Sequence, residues 1–287
     1  MRFNRSPSQW FQSWKSRQRL SSRTGLFMLG LFSVIGALAT MALAPVAQDP
    51  NYHCFADQRT FLGIRNCFNV VSNLGFVVAG ALGCEILFRD QAQSRRILFA
   101  HPMERWPWWA FYLGVLLTGL GSAYYHVAPD NARLVWDRLP MTMIFTSFLA
   151  ALVTERIDAR SGCILLMPLL LLGAATVVAW HLSELQGRGD LRAYGFVHYL
   201  PVPLALFLLW GFPSIHGRDR EAIGLLILYF VATIFEILDQ PVYARTFGIS
   251  GHTLKHLVAA MAIFWHAEML SRRARPRAIC NPILKDS

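Results

Sequence analysis

Five residues at the ends of apolar stretches carry the types and spacing that could do chemistry. Ser122 and His126 stand four apart in GLGSAYYHVAPDNARLVWDRLP, residues 119–140, and Asp137 follows in the same stretch. On a helix a spacing of four puts two side chains on one face, one turn (about 6 Å) apart. Far downstream GHTLKH, residues 251–256, repeats that spacing with His252 and His256. Three imidazoles suit zinc, leaving a fourth tetrahedral position open for water. Zinc lowers the pKa of such a water to around 7, which gives a nucleophile at ordinary pH. An acid such as Asp137 can then take and return a proton, and a hydroxyl such as that of Ser122 can hydrogen-bond a developing oxyanion. These parts suit hydrolysis of an amide or an ester.

The elements that must position them are apolar. Of 287 residues, 54% are hydrophobic and only 15% are charged, with a mean hydropathy of +0.37. That describes an all-α polytopic membrane protein and not a soluble domain around one core. Runs of this length read as helices, the form that satisfies its own backbone within lipid. Eight spans are expected: Gly25–Ala44, then about 66–88, 107–125, 134–153, 163–182, 196–212, 222–238 and 251–270. Each approaches the roughly 20 residues that cross a bilayer. The sequence ALAPVAQDP after the first run faintly resembles a signal-peptidase site, but the run is long and Pro45 opposes cleavage after Ala44, so an uncleaved helix is expected. Cleavage after Ala47 is the lesser alternative.

The formal net charge of +10 would suggest nucleic acid in a soluble protein. Here the basic residues gather at the ends of apolar runs, and the positive-inside rule accounts for them without nucleic acid. Residues 1–24 hold six Lys or Arg and no acid. Both termini are therefore expected in the cytoplasm. The same count sets Ser122, His126, Asp137, His252 and His256 at one depth near the outer face. Ionisable residues inside a bilayer are costly and usually mark function.

Plainer roles compete. A lone histidine in a membrane helix more often packs or hydrogen-bonds, and His53, His101, His181, His198, His216 and His266 are read that way. Ser122, near Gly114, Gly119 and Gly121, could simply let helices approach. The run is not GxSxG, so a serine nucleophile is unsupported. Glu236 and Asp239 could line the cavity or pair with Lys255 or Arg245. Five cysteines show no CxxC pattern. Cys54 and Cys67 fall near one outer loop, where a disulfide and two free thiols are equally compatible with the sequence.

SAYYH followed by WDRLP, with GHTLKH near the end and NVVSN at residues 69–73, resembles the alkaline ceramidase family. These are seven-helix membrane hydrolases, related more distantly to the adiponectin-receptor group. The resemblance covers about residues 52–270. It implies zinc held by His126, His252 and His256, with Asp137 as acid/base and Ser122 as oxyanion helper. The implied reaction is hydrolysis of the N-acyl bond of ceramide, or of a related lipid amide, to a free amine and a fatty acid. Two departures stand out. The first apolar run is additional to the seven helices. The family's acidic calcium cluster has no counterpart in NYHCFADQRTFLGIRN, where Asp57 is the only acid and Asn66 stands where the family has Glu; this weakens the expectation of calcium. The organisation expected is a basic cytoplasmic segment (1–24), an extra transmembrane helix (25–47), a seven-helix hydrolase domain (52–271) and a basic cytoplasmic tail (272–287). The partners expected are membrane lipid and a lipid amide substrate; the oligomeric state is left open. Two rival readings are a receptor-like or regulatory protein with a structural metal and little turnover, and a haem protein using axial histidines.

Overall fold

The computed structural model describes residues 19–92, 96–99, 101–214, 219–246, 248–273 and 275–276. The expectations placed on residues 1–18, on His216 and on most of the basic tail lie outside them. The described chain is all-helical, apart from one short antiparallel pairing of residues 96–97 with 275–276.

Helix α1 is Ser22–Ala42. The expected second span is two helices, α2 (Cys67–Val71) and α3 (Leu74–Ala92), with a break at Ser72 and Asn73. Then come α4 (Arg105–Val127), α5 (Asn131–Arg156) and α6 (Ala159–Leu185). Helices α7 (Arg192–Tyr199) and α8 (Pro201–Gly211) follow, then α9 (Asp219–Ile237) and α10 (Asp239–Thr246), which bend by 78° at their junction. Helix α11 is Gly251–Arg272.

Every expected apolar run is helical, but among the described residues four spans (α1, α2 with α3, α6, and α7 with α8), or five if α9 and α10 count as one broken span, are both long and apolar enough to cross a membrane. Helices α4, α5 and α11 have the length, at 23, 26 and 22 residues. They fall short in apolarity because α5 and α11 between them carry histidines, acids and basic residues toward the two ends of the bundle, and α4 is rich in Trp, Tyr and Gly.

The helices form an arc. Helix α9 packs on α11, α11 on α3, α3 on α4, α4 on α5, and α5 on α6, α7 and α8. The ends of the arc, α9 on one side and α7–α8 on the other, face each other with at most glancing backbone contact. Side chains bridge this gap. Tyr229 on α9 meets Phe145 on α5 with ring centroids 5.3 Å apart, and its hydroxyl lies 3.3 Å from His198 Nε2 on α7. Helix α1 lies outside the arc against α7 and α8, where Phe32 meets Phe207 edge-on.

At one end of the bundle, buried charges tie the elements together. Arg273 pairs with Glu155 and Glu221, Trp108 Nε1 donates to Glu155, and Arg156 pairs with Asp219. Next to them His266 stacks on Trp108 and shares a hydrogen bond with the Tyr112 hydroxyl. The opposite end holds the three histidines named above.

Candidate metal centre

Helix α11 starts at Ser250, whose hydroxyl accepts from Thr253 N as an N-cap. The first turn then places His252 and His256 on one face. Gly251 is needed there because a Cβ would lie 2.3 Å from the carbonyl of Phe235 on α9. Asp239, at the bend between α9 and α10, accepts from His252 N at 2.7 Å and from Ala56 N at 2.9 Å. One carboxylate thus fixes both the start of α11 and the loop before α2.

His126 comes from the last turn of α4, and its carbonyl accepts from Asn66 Nδ2 at 2.9 Å. Helices α4 and α5 approach closely at Gly121, where a Cβ would stand 2.0 Å from the carbonyl of Trp136. Pro140, four residues on from Trp136, has no N–H to bond that carbonyl within the helix. The glycine and the proline together let α4 lie against a stretch of bare backbone, and this sets Ser122 beside Asp137.

The three histidines converge. His126, His252 and His256 are buried, at 1%, 6% and 3% exposure, and one ring nitrogen of each lies within 4.8 Å of the others. His126 Nε2 and His252 Nε2 stand 3.2 Å apart. Two nitrogens bound to one tetrahedral zinc at about 2.0–2.1 Å would be roughly 3.3 Å apart, so the spacing fits a metal ion. Among the described residues no fourth histidine, cysteine or acid joins the group.

Ser72 sets the tautomer of His256. Its hydroxyl donates to the carbonyl of Asn69 at 3.1 Å and lies 2.8 Å from His256 Nδ1. A hydroxyl has one proton to give, so Nδ1–H donates to Ser72 and Nε2 keeps its lone pair for a metal. Asn69 Oδ1 accepts from Thr253 at 2.9 Å and from Ser250 at 3.3 Å. The short helix α2 therefore braces α11 from behind. The role of the NVVSN stretch cannot be read from the sequence, because nothing local marks these polar residues as buried. Phe55 is also unforeseen. It covers the site with its ring 4.6 Å from both His126 and His252.

Comparison with protein-family models finds no match, and no curated protein matches the sequence.

The remaining candidates divide. Asp137 is buried on α5 beside Ser122 but outside the histidine group. Lys255 forms an ion pair with Glu236, one of the roles left open in the sequence, while Asp239 serves as the backbone acceptor described above. His53 bridges Tyr125 and Asn131, and His198 lies between Tyr194 and Tyr229. Cys54 and Cys67 are separate thiols, one exposed and one buried. Burial works against the charge of Asp57, but hydrogen bonds from Arg59 outweigh it and hold the carboxyl below its usual range. Arg59 also donates to Gly248 O. The one acid of residues 51–66 is thus taken up by a side chain.

Proposed function

We propose that the chain is a zinc-dependent membrane amide hydrolase of the ceramidase type, built as seven membrane helices plus the additional α1. The observation that carries this reading is the buried convergence of His126, His252 and His256 with Asp137 held outside the group. Bound zinc would supply a water acidified to near neutrality and an electrophile for the amide carbonyl. The substrate is the N-acyl bond of ceramide or a related lipid amide. Hydrolysis puts a hydroxyl on the acyl carbon, breaks the C–N bond and leaves a proton on the nitrogen. Asp137 takes that proton from the water and returns it to the departing amine. Ser122 rests against Asp137 and would turn its hydroxyl toward the carbonyl oxygen as negative charge builds there. Phe55 and the loop of residues 48–66 keep bulk water off the reacting atoms. The site faces the outer side and both termini the cytoplasm, on the strength of the loop charges.

The absence of a fourth side-chain ligand among the described residues supports an enzyme over a receptor with a closed, structural metal. The test pairs two measurements on the purified chain: metal content by mass spectrometry, and turnover of a fluorescent N-acyl lipid. One zinc per chain with turnover is expected, and both vanish in the His252→Ala/His256→Ala double variant. Stoichiometric zinc persisting in that variant would overturn the metal assignment. Zinc without turnover on any lipid amide would leave the receptor-like reading.

A further inference from the structure

Beside the reacting groups lies a buried cation that, among the described residues, makes no direct ion pair; the Asp137 carboxylate acts on it only at longer range. Arg138 follows Asp137 on α5 and is 5% exposed. Its guanidinium stands 4.1 Å from the ring centroid of Trp180 and 4.5 Å from that of Tyr194, with Tyr52 at 5.6 Å. Nη2 donates to Gln48 Oε1 at 2.6 Å. Nη1 is buried and, among the described residues, has no hydrogen-bond partner. Two other deeply buried arginine side chains, those of Arg156 and Arg273, are matched by carboxylates. Arg138 has a neutral amide as its hydrogen-bond partner instead, although burying a charge without a direct ion pair is costly.

The surroundings are polar and shared with the site. The Tyr52 hydroxyl lies within electrostatic reach of Arg138, Asp137, Lys255 and Glu236. Lys255 and Glu236 are only partly buried and pair with each other. A guanidinium stacked between aromatic faces keeps its in-plane N–H groups for an oxyanion. One arm of that fork lacks a partner among the described residues.

We propose that Arg138, through Nη1, recognises an anionic group on the substrate, a carboxylate or phosphate carried close to the amide nitrogen, with Lys255 as a second cation nearby. The substrate class is then an N-acyl lipid with a charged head. The reaction on that lipid rests on the hydrolase reading above; the recognition does not.

The test uses the zinc-loaded full chain in detergent and two probes with one acyl chain, N-palmitoylglycine and N-palmitoylethanolamine. They differ by a carboxylate against a hydroxymethyl group. Binding is read from ligand-dependent thermal stabilisation, and hydrolysis from released palmitate. The glycine compound is expected to bind about tenfold more tightly, as a charged hydrogen bond exceeds a neutral one. Arg138→Gln should bring the ratio of the two affinities close to one. Gln48→Glu neutralises Arg138 in place without removing it, and should do the same even if Arg138→Gln fails to fold. Equal binding by the unmutated protein, no binding of either probe, or a preference untouched by both variants overturns the proposal. Preferential binding without hydrolysis leaves it standing and counts against the hydrolase reading. Equal hydrolysis of both probes does the reverse.

Discussion

An imidazole that holds a metal with one nitrogen needs its other nitrogen held as well. Ser72 does this for His256. Removing such a partner typically costs 10–100-fold in metal affinity. Ser72→Ala should therefore weaken zinc by about 10–100-fold in competition with a chromophoric chelator, and unchanged affinity would reduce Ser72 to a packing residue. Asp137 and Ser122 sit differently, outside the ligand group. Asp137→Asn should keep near-normal zinc and lose roughly 10²–10⁴-fold in turnover, the usual contribution of a positioned acid or base. Ser122→Ala should also keep zinc and lose about 10²–10³-fold. Zinc lost along with activity in Asp137→Asn would make Asp137 a ligand. His126, His252, His256, Asp137 and Ser122 could be picked out in the sequence because helical spacing is local and polar residues stand out against apolar runs. Ser72, Asn69 and Phe55 could not be given roles. Their partners lie 184, 184 and 71 residues away, on His256, Thr253 and His126.

Helices cross where their backbones allow it. The α4–α5 contact depends on Gly121 meeting the carbonyl of Trp136, which Pro140 leaves without a helical donor. Gly121→Val should force the two helices apart. Overpacking of this kind costs about 1–3 kcal/mol, visible as a lower unfolding midpoint in detergent. Because the same contact holds Ser122 against Asp137, turnover should fall while His252 and His256, on α11, keep their places. A variant with normal stability and normal turnover would refute this account of the crossing. The apolar runs located every long helix, since hydropathy is summed over many residues. It could not locate the break at Ser72–Asn73 or the 78° bend after Ile237. Both follow from side chains reaching other elements, Ser72 to α11 and Asp239 to α11 and to the loop before α2.

The molecule is polar at both ends and apolar between them. Opposite the histidines, Arg273 holds Glu155 and Glu221 together, so α4, α5, α9 and α11 meet at one cation. Breaking a buried pair by removing one partner costs about 3–5 kcal/mol, because the other charge is left stranded. Arg273→Met should lower stability on that scale. Adding Glu155→Gln and Glu221→Gln should restore part of it, which a purely steric role for Arg273 would not permit.

The gap between α9 and α7–α8 bears on how the protein would meter its substrate. A lipid entering sideways never dissolves in water, so its concentration is counted per lipid molecule and not per litre. Diluting the substrate with inert detergent or phospholipid at constant bulk concentration should then slow turnover in proportion to mole fraction, while diluting the whole mixture with buffer should leave the rate per protein unchanged. On the hydrolase reading the acyl product would stay in the bilayer, whereas the amine, where the substrate's head is short and polar, would leave toward water past Phe55. The two halves of one bond would part into different phases, and the back reaction would lose its second reactant.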